Sequence, residues 1–140
     1  MSSLIPYISV SNAAAAIDFY QRAFGAEALS RNTTPDGSKI MHAALQFPGG
    51  GTLMLSDDFP EYNGGRGRTP EAFGGSPVTL HLTLDNADPV WAAAVAAGAT
   101  VTMPLDDQFW GDRYGRLRDP FGHEWSLSSP GTKPGKAKPE

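Results

Sequence analysis

The sequence predicts an α+β fold made of two βαβββ modules, and three features carry that reading. The order strand, helix, strand, strand, strand can be read twice along the chain. The two readings can be set against each other and share their landmarks. Between them lies a stretch rich in Gly and Pro that has no periodicity.

The first module opens with residues 4–10, where Leu4, Pro6, Ile8 and Val10 alternate with Ile5, Tyr7 and Ser9, the period-two pattern of a strand. Pro6 places it at an edge or a strand start, because proline cannot donate to a ladder. Asn12 is suited to cap a helix over 13–24, with Ala16, Ile17, Tyr20, Ala23 and Phe24 on one face and Gly25 at the left-handed stop. Strands are predicted over 26–33, 39–47 and 51–56, separated by the turns Pro35-Asp36-Gly37 and Pro48-Gly49-Gly50. No helix follows Gly49, Gly50 and Gly51, so they read as a hairpin turn and not as a phosphate loop.

The second module repeats the order. A strand over 78–84 leads to Asp88 as cap, Pro89 at the first helical position, a helix to Ala97 and a stop at Gly98. Strands over 100–105, 113–118 and 123–128 follow, with Asp119-Pro120-Phe121-Gly122 as the last turn. Set side by side, ISVSNAAAAIDFYQRAFGA and LTLDNADPVWAAAVAAGA bring Asn12 to Asn86 and Gly25 to Gly98, and LMLS matches WSLS. One such unit cannot bury its own apolar face, so modules are expected to pair, within the chain or by exchange between the chains of a dimer, and residues 1–129 are read as a single domain. Module one covers about 1–57, a linker that could double as a flap covers 58–77, module two covers 78–129, and 130–140 are expected to form a disordered tail.

Composition narrows the function. With 40% apolar and 19% charged residues the chain is globular. It has no cysteine, which excludes disulfides, thiolate nucleophiles and iron–sulfur clusters. Its net charge of −4 argues against nucleic acid, since phosphate binding needs a concentrated positive field. No apolar run approaches the ~20 residues of a membrane helix, and the first residues lack a basic, apolar leader, so a soluble cytoplasmic protein is expected.

Three stretches carry a family resemblance: PYISV with AAAAIDFYQRAFGA, KIMHAALQ with LMLSDD, and most specifically DQFWGDRYGRLRDPFGHEW. Together they resemble the vicinal oxygen chelate (glyoxalase/bleomycin resistance/dioxygenase) superfamily, in its PhnB-like branch. The resemblance implies curved mixed sheets around a cleft, a homodimer, and, in the enzymes, a divalent metal held by one residue from the first and last strand of each module. Those four positions fall here on Ile5, Met54, Thr79 and Ser126. Ile lacks a donor atom, the Met thioether is soft and neutral hydroxyls bind weakly, so no metal is expected there.

Strand parity assigns the other cleft candidates. Met41, Ala43, Leu45 and Phe47 should face the helix, leaving His42 and Gln46 toward the cleft. By the same rule Leu80, Leu82 and Leu84 face the core, while Tyr7, Met54, Ser56, Thr79, His81, Thr83, Glu124 and Ser126 face the cleft. Phe109, Trp110 and Tyr114, with Arg113, are placed at the cleft mouth, where rings and a guanidinium could hold a planar or anionic molecule. Each has an ordinary structural alternative: His42 and His81 as hydrogen-bonding residues, Phe109 and Trp110 as packing residues, His123 as part of a hairpin. Trp91 and Trp125 are assigned to packing.

Two functions remain open at this level. The first is a binding protein that captures a small organic molecule without a cofactor. The second is a lyase, isomerase or dioxygenase with a rearranged metal site built from His42, His81 and Glu124.

Overall fold

A computed structural model describes residues 2–132. The chain divides into two compact units, one running to Gly75 and one beginning at Ser76. Each holds a four-stranded mixed sheet with a helix on one face, which is the α+β architecture that the sequence predicts.

In the first unit β1 (Tyr7–Val10) leads to α1 (Ala13–Phe24), then β2 (Glu27–Thr33), β3 (Ile40–Gln46) and β4 (Thr52–Asp57). The spatial order is β1-β4-β3-β2, with β1 parallel to β4 and the other pairs antiparallel. The Asn12 side chain accepts from the Ala15 N–H at 3.1 Å, and Gly25 ends α1 at φ 70. This is the position where a Cβ would be penalised. The buried face of α1 adds Phe19 to the expected residues and packs on Val10, Ala43, Leu45, Leu53 and Leu55, all 3% exposed or less. Burying each leucine contributes about 1.5–3 kcal/mol. The Asp57 carboxylate then ties sheet to helix, accepting the Ala13 N–H at 2.8 Å and the Ile40 N–H at 2.7 Å.

The segment after β4 is not a featureless linker. It forms a 3-10 turn (Pro60–Tyr62) and a short α2 (Pro70–Phe73) capped by Thr69, and it belongs to the first unit. Two bonds converge on Asp58: Lys39 Nζ donates to its carbonyl at 2.8 Å, and the Arg68 N–H to its carboxylate at 3.1 Å. Such contacts use polar groups and Gly turns, so they leave no hydrophobic period to detect.

The second unit repeats the plan with β5 (Thr79–Thr83), α3 (Ala87–Ala96), β6 (Thr100–Asp107), β7 (Asp112–Arg118) and β8 (Glu124–Pro130), in the order β5-β8-β7-β6. Here the cap is Asn86 and not Asp88. Asn86 accepts from the Asp88 N–H at 3.3 Å, which puts Pro89 third in the helix. Proline is tolerated there because the first four N–H groups of a helix have no partner within it. Residues 130–132, expected as the start of the tail, instead belong to the second unit. Pro130 closes β8, the Gly131 N–H donates to the Gly111 carbonyl at 2.9 Å, and Thr132 is bonded to Asp107. Residues 133–140 lie outside the described residues.

Candidate functional site

Each sheet has one face covered by its helix and one face with different chemistry. In the first unit the second face is built by register. Tyr7 lies beside Met54 and Ser9 beside Ser56 across the parallel β1–β4 pair. The His42 ring meets Tyr7 edge-on at 5.5 Å, and the Tyr7 hydroxyl donates to the Met41 carbonyl at 3.3 Å. Met41 departs from the expected parity. A bulge between the Asn32–His42 and Thr33–Ile40 pairs lets Ile40 take the buried place, at 3% exposed, and turns Met41 outward, at 48%. An extra residue in one strand flips the faces beyond it.

The outward Met41, with Tyr7, Ser56, Phe59, Tyr62 and Arg68, lines a cavity of about 450 Å³ roofed by the segment after β4. A volume of that order suits a small organic molecule. Its lining joins three aromatic rings and a thioether to the hydroxyls of Ser9 and Ser56, the Asn63 amide, the carboxylates of Asp57 and Asp58 and the Arg68 cation. Gln46, at the exposed end of β3 opposite Thr52, is not part of it.

The open face of the second sheet is polar. Thr79, His81 and Thr83 lie beside Glu124, Ser126 and Ser128, which in turn face Arg118, Arg116 and Tyr114. His81 is held at both ring nitrogens, Nδ1 to Ser126 Oγ at 2.6 Å and Nε2 to Ser128 Oγ at 3.0 Å. Its ring stacks on Tyr114 at 6.2 Å, and Tyr114 meets Trp110 at 5.9 Å, which meets Phe109 at 5.0 Å. The expected aromatic group is therefore contiguous and reaches His81.

Arg113 does not join it. Being one residue from Tyr114 on β7, it points to the helix face and binds Asp88 with two parallel bonds of 2.9 Å, Asp107 lying 3.6 Å away. The Arg113 bond holds the Asp88 carboxyl below its ordinary range, and the same bond raises the guanidinium. The arginine on the open face is Arg116. Its Nη2 donates to Thr79 Oγ1 at 2.5 Å and its Nη1 to the Tyr114 hydroxyl at 3.2 Å. The signal for it was available in the sequence, since Tyr114, Arg116 and Arg118 share parity and Arg113 does not.

These geometries can be set beside known proteins. The family model described as Glyoxalase/Bleomycin resistance protein/Dioxygenase superfamily matches residues 4–127. The chain belongs to that superfamily. An uncharacterized protein of Mycobacterium bovis, Mb0911c, is 52% identical over 128 residues, covering 91% of this chain and 83% of the relative. The crystal structure of PA1353 from Pseudomonas aeruginosa is similar at 26% identity with TM-score 0.68, over 94% and 99% of the two chains. The PhnB protein from Bacillus cereus shares the superfamily fold at 19% identity and TM-score 0.67, over 91% and 99%.

The residues at the superfamily's metal-ligand positions do not fit a divalent cation. Ile5 precedes β1 and offers no donor atom. Met54 presents only a thioether beside Tyr7. Thr79 already accepts from a guanidinium, and the buried Ser126 hydroxyl is engaged with His81. Such sites want carboxylate or imidazole ligands. Among the described residues no three His, Cys, Asp or Glu side chains form a metal-holding group. Within the second unit His81 is bonded to two serines, and Glu124 accepts from Arg118 Nε at 2.6 Å. No helix among the described residues is long and apolar enough to cross a membrane.

Proposed function

We propose that the chain is a metal-independent, cytoplasmic binding protein of the superfamily, in its PhnB-like branch, that captures a small, partly aromatic organic molecule and works as a homodimer. The observation that carries this reading is the donor set at Ile5, Met54, Thr79 and Ser126, which removes the Lewis acid that isomerisation or ring-opening oxygenation on this scaffold would use. The cavity under Phe59 and Tyr62 supports capture, because a thioether and several rings offer dispersion and edge contacts to a planar guest. The branch rests on the DQFWGDRYGRLRDPFGHEW stretch.

Elemental analysis after dialysis against Mn, Fe, Ni and Zn in turn is expected to find no metal retained near one per chain. Near-stoichiometric retention would instead favour the enzyme reading with His42, His81 and Glu124. In parallel, the neutral dye Nile red should bind with saturable fluorescence, and Tyr62→Ala, at a residue 85% exposed, should weaken it several-fold while leaving the melting temperature in place. Unchanged dye affinity would remove the cavity from the proposal.

A further inference from the structure

The second sheet carries a charge that the cavity of the first unit does not explain. Of the other arginines of the second unit, Arg113 and Arg118 each meet a carboxylate, Asp88 and Glu124 respectively. Arg116 is half-buried, yet among the described residues it has no carboxylate partner, only the neutral oxygens of Thr79 and Tyr114. A guanidinium has five N–H donors, so two bonds fix its orientation and leave three donors uncommitted. A partly desolvated cation without a counter-charge is costly to keep, and that cost is relieved when an anion arrives.

Its surroundings suit such an anion. Ser126 lies directly opposite Arg116 on β8, and His81 lies beside Ser126 on β5. Of the carboxylates in the rows on either side, Glu124 is occupied by Arg118, and Asp106, opposite Tyr114, lies 4.0 Å from Arg113 Nη1. Thr79 and Ser126 are also the second module's two positions for metal ligands. Arg116 donates to the first and faces the second, so a fixed organic cation stands where the superfamily enzymes would hold an exchangeable one. We propose that Arg116 anchors an oxyanion-binding site on the open face of the second sheet, taking the carboxylate or phosphoryl group of a small molecule, with His81, Thr79 and Tyr114 holding the anchor's surroundings in place. The planar fork of arginine matches both groups through paired N–H···O bonds.

The test titrates the full-length protein at low ionic strength with methylphosphonate and, separately, with propionate. Calorimetry follows affinity, and the Nε–H signal of Arg116 is followed by NMR. At least one probe should bind saturably and shift that signal, and the tighter of the two identifies the group. Arg116→Gln should weaken binding at least tenfold, Arg116→Lys should keep part of it, and Arg22→Gln on the other unit should stay within twofold of the parent. If Arg116→Gln does not fold, the shift in the parent protein and the lysine variant decide. Absence of saturable binding by either probe overturns the site, as does equal affinity in the parent and Arg116→Gln. Nile red binding should survive in Arg116→Gln, so failure of this site and failure of the first-unit cavity are read separately.

Discussion

Removing the Asp119 carboxylate should cost more stability than removing any other single polar side chain of the second unit. Asp119 is 4% exposed, and its Oδ1 accepts the N–H groups of Phe121 at 2.9 Å and His123 at 3.0 Å. Its Oδ2 accepts Trp125 Nε1 at 2.9 Å, and Trp125 is 3% exposed. The carboxylate thus shapes the last turn and also satisfies the indole of a core tryptophan. Bonds to a charged acceptor are worth about 1.5–3 kcal/mol each, and a buried donor left unpaired costs about 1–3 kcal/mol. The three share one acceptor group and do not add fully, so Asp119→Ala should lose about 3–5 kcal/mol. Asp119→Asn separates the parts: its oxygen can keep the two backbone donors, but its amide would confront the indole N–H, so about 1–3 kcal/mol should be lost. Urea unfolding followed by tryptophan fluorescence, with circular dichroism to check that the transitions coincide, measures both. A loss below about 1 kcal/mol in Asp119→Ala would show that water replaces the carboxylate and would refute the reasoning.

The remaining predictions concern packing, the first unit's sheet-to-helix tie and acid stability. A Cβ at Gly115 would stand 2.6 Å from Trp91 Cζ3 and 2.8 Å from Leu105 Cα, so Gly115→Ala should destabilise by about 1–3 kcal/mol or more. Adding Trp91→Phe should recover only part of that in a thermal melt, because the Leu105 clash is with backbone. Asp57→Ala should cost about 2–3 kcal/mol and speed hydrogen exchange at the Ala13 and Ile40 amides, both of which lose their acceptor. Asp88 is lowered chiefly by its bond from Arg113, and Asp36 is lowered to about 2, first by the Thr34 hydroxyl and then by Ser38. Folded values below unfolded ones mean stability that is present above the ordinary carboxylate range, near pH ~4, and is lost as pH falls through the folded values. Arg113→Gln should therefore flatten the acid limb of a melting-temperature profile, and an unchanged limb would deny the pair any linkage.

The elements that were legible in the sequence are those fixed by the backbone's own needs. Asn12 and Gly25 bound α1 because helix ends require an acceptor for orphan N–H groups and a residue at ease with positive φ. What escaped the reading was set by neighbours. The Met41 bulge follows from the partner strand β2, which supplies one residue where β3 supplies two, and alternation within β3 cannot reveal it. Asp88 resembles a cap in isolation, but its carboxylate is drawn to Arg113 from β7, and Asn86 does the capping. Nearness in sequence groups Arg113 with Tyr114, whereas strand parity separates them and puts Arg116 on the site face.

The internal repeat makes the same division visible inside one chain. The repeat alignment pairs Asn12 with Asn86 and Gly25 with Gly98, and in both copies the asparagine caps a helix and the glycine has positive φ. It also pairs Tyr7 with His81 and Met54 with Ser126, and register makes each couple direct neighbours across the parallel strands of its own sheet. Identical pairing with different side chains shows that these positions are not held by the fold: they lie opposite the helix, where packing leaves the choice open. One copy has placed there a tyrosine that lines a cavity, with the Met54 thioether beside it, and the other hydroxyls, an imidazole and a guanidinium with no carboxylate partner among the described residues. Exchanging the pair in the first unit, as Tyr7→His with Met54→Ser, should therefore leave the melting temperature nearly unchanged while abolishing Nile red binding. A collapse of the fold in that variant would mean that Tyr7 and Met54 are structural after all, and that the cavity beside them is incidental to function.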